Sequence, residues 1–250
     1  MIQQAFGLHL TGSLQPGQNT VVMIAGTLLS PEVFERVTMP PGYSPLWVGW
    51  HDAPGPHSVG AAAGKIAEML RQSRLGKTLL VGHSSGGTIA MLTCLSLTGT
   101  GLIDGLLLCN TGASNEGHAN AQSIESIVAG WNEQALEHFL RRCFAGPVEP
   151  ALFSRLMAYG RRITAEERVE PLISQRETDL TDRLAEITVP TIVAYGVRDT
   201  IRKLSHAELL QQRIPHAELV LLEGGHTPMV EDSGGFSQAL ARLARMAVSG

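Results

Sequence analysis

A serine placed between glycines is the feature of this chain that most directly suggests chemistry. Ser84 lies in the run Gly82-His83-Ser84-Ser85-Gly86-Gly87, after the apolar residues 79–81 and before a helix predicted over 88–97. A strand, a tight turn and a helix in this order hold a serine hydroxyl clear of the backbone, and glycines remove the Cβ atoms that would clash there. The pattern predicts that Ser84 is a nucleophile. The alternative is an ordinary loop rich in glycine and serine.

A serine hydroxyl becomes a good nucleophile only beside a base, and that base must be oriented by an acid. Asp199 follows an apolar strand predicted over 191–195, and His226 follows two glycines after a strand predicted over 218–222. Because the carboxyl ends of parallel strands meet at one edge of a sheet, we expect Ser84, Asp199 and His226 to lie together there. In the alternative reading, Asp199 is a turn or helix-cap residue and His226 belongs to a surface loop.

Two backbone N–H groups are expected to stabilise the oxyanion that forms when the serine attacks a carbonyl group. One is the N–H of Ser85, the residue after the nucleophile. The other is the N–H of Thr27, in the loop after a strand predicted over 20–25, where Gly26 lets the backbone approach a substrate closely. Alternatively, Thr27 only packs against its neighbours or caps a helix.

The elements that must position these residues follow from the pattern of apolar residues. Short apolar runs alternate with helical patterns over residues 1–110 and 183–250, which predicts an α/β core around a largely parallel sheet. Over residues 111–182 the pattern is helical throughout, which predicts a helical insertion into that core. Strands are predicted over 6–10, 20–25, 46–49, 78–81, 103–109, 191–195 and 218–222, and helices over 59–74, 88–97, 124–129, 134–144, 150–159, 165–175, 203–212 and 236–246.

Composition narrows the class of protein. The 250 residues carry a formal net charge of −4 without a basic stripe, so we expect neither nucleic acid nor an anionic membrane as a partner. Three cysteines without paired spacing disfavour a disulfide framework or a zinc site. The N-terminal residues do not resemble a signal peptide, and no apolar run is long enough to span a bilayer. We therefore expect a cytoplasmic protein, either a monomer or a homodimer.

In this order along the chain, the motifs resemble those of the α/β-hydrolase fold superfamily. The resemblance is carried by the glycine-bounded Ser84, by residues 189–199 with their terminal Asp199, and by Gly225-His226 with Glu231 downstream. It implies a mostly parallel eight-stranded sheet flanked by helices, and a helical lid over 111–182 inserted after the sixth strand. It also implies that no metal or organic cofactor is needed. Residues 107–113 are similar to enol-lactonase-like members such as 3-oxoadipate enol-lactone hydrolases.

Two loops depart from the pattern of the superfamily. Many members have His-Gly where this chain has Ala25-Gly26, so the loop that carries the second oxyanion donor is expected to be supported differently. Many relatives also carry an Asp-x-Arg-Gly-x-Gly-x-Ser loop, whereas residues 52–58 here read Asp-Ala-Pro-Gly-Pro-His-Ser. The missing arginine and the added prolines predict a stiffer loop beside the pocket.

The expected activity is transfer of an acyl group from a small-molecule ester or lactone to water through an acyl-enzyme. Alternatives with the same three residue types are carbon–carbon bond hydrolysis of a dienol diketone, cofactor-free lyase or oxygenase chemistry, and a small-molecule receptor. Arginines of the lid could meet a substrate carboxylate, although arginines on helices are more often solvated. The substrate pocket is predicted to include Gly26, Leu28, Trp131, Phe139, Phe144 and Met229, although helical spacing also suits simple core contacts.

Overall fold

An eight-stranded sheet forms the centre of the computed structural model, which describes residues 2–116 and 130–249. The strands run in the order β1-β2-β4-β3-β5-β6-β7-β8. The pairs β1–β2 and β2–β4 are antiparallel and the other pairs are parallel, which confirms the predicted sheet. The strands are β1 Ile2–Ala5, β2 Leu8–Gly12, β3 Thr20–Ile24, β4 Ser44–Gly49, β5 Thr78–His83, β6 Gly105–Cys109, β7 Thr191–Gly196 and β8 Glu218–Leu222.

The start of the chain differs from the prediction of one strand over 6–10. It forms a hairpin of β1 and β2 instead, in which Ala5 lies opposite Leu8. The two turn residues, Phe6 and Gly7, have φ values of 56° and 68°. A two-residue turn with both central φ angles positive matches the twist of the strands it joins. Phenylalanine is uncommon in that conformation, so its presence in the sequence gave no turn signal.

Helices cover both faces of the sheet, and alternate strand residues point to opposite faces. On one face, Val22 and Leu80 pack in a core with Ile66 and Ile89. On the other face, Val21 and Leu79 pack in a second core with Leu240. The helices are α1 Val59–Ser73, α2 Ser85–Ser96, α3 Glu133–Arg142, α4 Pro150–Arg162, α5 Ala165–Glu177, α6 Leu204–Arg213, α7 Pro228–Glu231 and α8 Ser233–Ser249, with 3-10 turns at Pro31–Phe34 and Thr181–Glu186.

The helices α3, α4 and α5 lie between β6 and β7, where the helical insertion was predicted. Within residues 111–116 and 130–182 no residue belongs to a strand. The predicted helix over 124–129 lies outside the described residues. Helix α5 begins with a capping box, in which Thr164 and Glu167 each accept the other's backbone N–H. No helix in the described ranges is long and apolar enough to cross a membrane.

Apolar and ionic contacts both attach the insertion to the core. Leu140 of α3 and Leu156 of α4 are fully buried in the same core cluster as Val21 of β3. At the surface, Arg155 of α4 forms ion pairs with Glu32 at 2.9 Å and Glu35 at 2.5 Å. The buried leucines contribute more than the exposed ion pairs, because solvent screens surface charges and holding long side chains costs entropy.

Candidate active site

Ser84 occupies the sharp turn between β5 and α2. Its φ of 54° and ψ of −123° are strained for a residue with a side chain. Neighbouring groups hold this conformation: the Ser84 N–H donates to the Cys109 carbonyl oxygen at 2.9 Å, and the Thr111 hydroxyl donates to the Ser84 carbonyl oxygen at 2.7 Å. The end of β6 therefore fixes the backbone of the serine from two sides.

The glycines around Ser84 allow three backbone segments to approach one another. A Cβ atom on Gly82 would overlap the backbone of Gly86 and Gly87, so β5 and the first turn of α2 could not pack as they do. A Cβ atom on Gly86 would overlap the carbonyl oxygens of Ile24 and Ala25 at the end of β3. These glycines are required by close contact rather than by flexibility.

Asp199 and His226 form a buried pair at the ends of β7 and β8. The His226 Nδ1 atom lies 2.8 Å from Asp199 Oδ2, and the two side chains are 3% and 0% exposed. The other oxygen of Asp199 accepts the backbone N–H groups of Ile201 at 2.7 Å and Arg202 at 3.1 Å. Asn110 donates its side-chain amide to Asp199 Oδ2 at 2.5 Å. Each group within hydrogen-bond distance of the carboxylate can therefore act as a donor to it.

These donors determine the charge of Asp199. Burial alone would raise the pKa of the carboxyl group. The charge and hydrogen bond of His226, the Asn110 amide and the Ile201 N–H together outweigh burial and lower the pKa to about 2. Asp199 is therefore ionised at neutral pH, and it can hold the imidazole in the tautomer with the proton on Nδ1.

Ser84 and His226 line the same cavity, which has a volume of about 970 Å³. Leu28, Trp131 and Phe139, three of the residues expected in the pocket, also line it, as does the expected oxyanion donor Thr27. The structure thus brings together all three residues of the predicted nucleophile, base and acid. The cavity opens between the carboxyl ends of the strands and the inserted helices, and it is large enough for a small organic molecule.

Three residues predicted for the pocket are not among the residues that line this cavity. Phe144 and Met229 are buried in the hydrophobic core that also contains Leu140. Phe144 of the insertion and Met229 of α7 fill this core, where apolar side chains are removed from water. Gly26 lies behind Ser84, where an added Cβ atom would lie only 2.8 Å from the Ser84 Cβ atom. Gly26 therefore lets the backbone pass close to Ser84, and it does not line the cavity.

The predicted oxyanion donor Thr27 already has a partner within the chain. Its N–H donates to the Ser85 hydroxyl oxygen at 2.7 Å, and its hydroxyl lies at the same distance from that oxygen. A developing oxyanion is a stronger acceptor than a neutral hydroxyl and can replace it. The loop is held by Trp50, whose indole N–H donates to the Ala25 carbonyl oxygen at 2.9 Å. This bond supports the loop that lacks the usual His-Gly pair.

Asn110 is a positioning residue that sequence reasoning did not identify. Besides contacting Asp199, its side chain accepts the Gly196 N–H at 3.0 Å and lies 3.3 Å from the Gly225 carbonyl oxygen. It therefore ties the loops that carry the acid and the base to the end of β6. Asn110 has a φ of 45°, and asparagine tolerates this region better than most residues. An asparagine directly after a buried strand is the signal that could have indicated it.

Glu231 and His83 hold the backbone around His226. One oxygen of Glu231 accepts the Gly225 N–H at 2.7 Å, and the other accepts the N–H groups of Ala145 and Gly146. His83 is fully buried, and its Nε2 donates to the His226 carbonyl oxygen at 2.7 Å. Both residues position the base without lining the cavity.

Two buried histidines predict a loss of stability in mild acid. Burial and nearby charges lower the pKa of His51 and of His83 to about 3, from an ordinary value of 6.5. As the pH falls below 6.5, the unfolded chain binds two protons that the folded chain does not. The stability present above pH 6.5 is therefore lost progressively as the pH falls toward 3. Each histidine should contribute a slope of about 1.4 kcal/mol per pH unit between pH 6 and 4.

Urea unfolding at pH 7, 6, 5 and 4 measures this slope. His51 and His83 are expected to contribute equally to the dependence of the unfolding free energy on pH. His51→Leu should therefore remove about half of their joint contribution to that slope. His216 is exposed, so His216→Asn serves as the control and should leave the slope unchanged. A wild-type free energy of unfolding that stays constant from pH 7 to 4 would contradict the prediction.

Comparison with known proteins places the fold in a family. A model of the alpha/beta hydrolase family matches residues 21–239. A pimeloyl-[acyl-carrier protein] methyl ester esterase of Yersinia enterocolitica is 24% identical, over 72% of this chain and 74% of its own. An esterase structure from Exiguobacterium antarcticum has a TM-score of 0.81 and 20% identity, covering 95% of each chain.

A second solved structure is similar over its whole length. The enol-lactonase from Burkholderia xenovorans LB400 has a TM-score of 0.81 and 17% identity, covering 98% of this chain and 100% of the enol-lactonase. At these identities, the likeness to the solved structures shows a shared fold. The family model extends from β3 into α8 and so includes Ser84, Asp199 and His226. The protein belongs to the alpha/beta hydrolase family.

Proposed function

We propose that the protein is a serine hydrolase that cleaves a small carboxylic ester or lactone through an acyl-enzyme. The observation that carries this proposal is the buried Asp199–His226 pair beside a cavity that Ser84 also lines. Relatives named as a methyl ester esterase and an enol-lactonase support the same class of substrate.

In the first half of the proposed reaction, the Ser84 oxygen attacks the carbonyl carbon of the substrate. His226 takes the hydroxyl proton as the C–O bond forms, and Asp199 stabilises the resulting imidazolium. The carbonyl oxygen becomes an oxyanion, which accepts hydrogen bonds from the N–H groups of Ser85 and Thr27. The intermediate then collapses, the alkoxy group leaves with the proton from His226, and an ester on Ser84 remains.

In the second half, water replaces the alcohol that has left. His226 removes a proton from the water, and the oxygen attacks the acyl carbon in the same oxyanion site. When this intermediate collapses, His226 returns the proton to the Ser84 oxygen and the carboxylic acid is released. A lactone follows the same steps, except that its leaving alcohol stays attached to the acyl group.

The helical insertion over residues 111–182 is proposed to act as a lid over the pocket. Trp131 and Phe139, which belong to the described part of this segment, line the cavity. They supply apolar surface for the acyl or alcohol part of a substrate. The rest of the chain, residues 1–110 and 183–250, is proposed as the hydrolase core.

Turnover of p-nitrophenyl esters from acetate to octanoate tests the proposed function. We expect release of p-nitrophenol at a rate proportional to enzyme concentration, with the best chain length set by the cavity. Small lactones provide a second panel. If the wild-type protein turns over none of these substrates, the proposal is wrong. Ligand-dependent thermal stabilisation without turnover would then indicate a receptor.

The two adjacent serines can be distinguished, because only one of them is proposed to form a covalent bond. Ser85→Ala keeps the backbone N–H at position 85 and removes the contacts of the Ser85 hydroxyl with the N–H and the hydroxyl of Thr27. The oxyanion is proposed to take over the Thr27 N–H, so one neutral hydrogen bond, worth about 1 kcal/mol, is lost. We therefore expect at least about a tenth of the wild-type kcat/KM. Steady-state kinetics on the best ester measures this. If Ser85→Ala were as inactive as Ser84→Ala, the assigned roles would be wrong.

A further inference from the structure

The described lining of the cavity carries four arginines and two carboxylates, and its two buried charged residues are arginines. Arg168 and Arg202 are only 7% and 3% exposed. Among the described lining residues, the acidic ones are Glu116 and Asp179, and both are exposed at the rim. The buried part of the wall is therefore cationic, on the same cavity that contains Ser84.

Arg168 lies on α5 with little to balance its charge. Its guanidinium carbon lies 4.5 Å from the centre of the Trp131 ring, and its Nη1 donates to the Ile163 carbonyl oxygen at 3.4 Å. Its Nε is buried without a partner. Within residues 2–116 and 130–249 it forms no ion pair with a carboxylate. Contact with the Trp131 ring leaves most of the N–H donors of Arg168 without an acceptor among the described residues.

Arg202 has a different role. Its two terminal nitrogens donate to the Ser114 carbonyl oxygen at 3.0 Å and to the Asn115 side chain at 2.8 Å. These bonds hold the start of the insertion against the loop that carries Asp199. Each terminal nitrogen of Arg202 already donates a hydrogen bond within the chain, and its charge interacts with that of Asp199. Its Nε, like that of Arg168, is buried without a partner among the described residues. Of these two buried arginines, Arg168 is the one whose terminal nitrogens make a single hydrogen bond to the described residues, at 3.4 Å.

A buried guanidinium group without an anionic partner is costly, and an arginine cannot avoid the cost by losing its proton. A carboxylate is the ligand that best fits the two parallel N–H donors of an arginine. We propose that Arg168 binds a carboxylate of the substrate, so that the preferred substrate is an ester or lactone that carries a separate ionised carboxyl group. This proposal rests on the proposed function, because it names the substrate class of the same site.

Matched substrates test the proposal. Monomethyl adipate and methyl hexanoate have acyl chains of equal length and differ in the terminal carboxylate. We expect wild-type kcat/KM to be at least about tenfold higher for a half-ester than for its neutral partner, since a charged hydrogen bond is worth about 1.5 kcal/mol or more. The monomethyl esters of the four- to seven-carbon diacids, each with its neutral partner, identify the spacing between carboxylate and ester.

Arg168→Gln should remove this preference by lowering kcat/KM at least about tenfold more for the half-ester than for the neutral ester, mainly through KM. Arg168→Lys keeps the charge without the paired donors and should recover only part of the loss. Arg183→Gln is the control, because Arg183 is exposed and paired with Glu186. Arg183→Gln should leave kcat/KM unchanged for both the half-ester and the neutral ester.

Binding to an inactive variant separates this proposal from the proposed function. In Ser84→Ala, calorimetry should show that monomethyl adipate binds at least about tenfold more tightly than in the Ser84→Ala/Arg168→Gln double variant. If no ester is hydrolysed and this difference is still seen, the proposed function fails and the anion site stands. Three results would overturn the anion site. The first is equal binding of monomethyl adipate by Ser84→Ala and the double variant. The others are an equal loss of kcat/KM for the half-ester and its neutral partner in Arg168→Gln, and a wild-type protein that prefers no half-ester of any chain length.

Discussion

Replacing Ser84 by alanine is expected to lower kcat/KM for the best p-nitrophenyl ester by about a thousandfold or more. Without the hydroxyl group there is no nucleophile to form the acyl-enzyme, and only the oxyanion donors and substrate binding still favour the reaction. The strained backbone at position 84 is held by Cys109 and Thr111, so alanine should be accommodated without unfolding.

A matched control uses the same helix. Ser96 is exposed at the end of α2, and its hydroxyl donates to the Thr93 carbonyl oxygen. Ser96→Ala should keep wild-type kinetics. Circular dichroism and thermal unfolding of both variants show whether an effect on rate comes from the missing hydroxyl or from misfolding. Hydrolysis by a folded Ser84→Ala protein at a rate near that of wild type would exclude a serine mechanism at this residue.

Asp199→Asn is expected to lower kcat about a thousandfold to ten-thousandfold. In the folded protein, one carboxylate oxygen accepts hydrogen bonds from His226 and Asn110, and the other accepts them from Ile201 and Arg202. An asparagine has one NH₂ group, which must face one of these pairs of donors in either orientation. The variant therefore loses hydrogen bonds, and in one orientation it also favours the wrong tautomer of His226.

The same replacement should lower the free energy of unfolding by about 1 to 3 kcal/mol, since a buried donor is left without its acceptor. Kinetics and urea unfolding of Asp199→Asn measure the two effects separately. Asp182 is exposed, so Asp182→Asn serves as the control and should change neither. Wild-type kcat in a folded Asp199→Asn protein would contradict the role assigned to Asp199.

Much of the fold could be predicted from the sequence, because parallel strands buried on both faces leave short apolar runs between helices. The centre and one edge of the sheet show the limit of this signal. β3 lies at the centre and is buried throughout, so its run stands out. The hairpin of β1 and β2 depends on a turn through Phe6 and Gly7 whose first residue has no turn preference.

The cluster of Ser84, Asp199 and His226 could be predicted for a similar reason, since each of these residues follows a core strand and a glycine in the turn after it. Their supports could not be predicted. Asn110 contacts the end of β7 and the loops after β7 and β8 through side-chain bonds that span 86 to 115 residues of sequence, and no local pattern encodes such contacts. The pocket prediction failed for Phe144 and Met229 because an apolar side chain suits a cavity wall and a core equally well.

Covalent labelling with a fluorophosphonate ester tests the central claim most directly. Such a reagent phosphonylates an activated serine, and peptide mass spectrometry locates the added mass. We expect one adduct, on Ser84, in the wild-type protein and at the same rate in Ser96→Ala. The adduct should be absent from Ser84→Ala, and it should form much more slowly in Asp199→Asn. An adduct on Ser85 or any other residue in the wild-type protein, or no adduct while ester hydrolysis proceeds, would contradict Ser84 as the nucleophile.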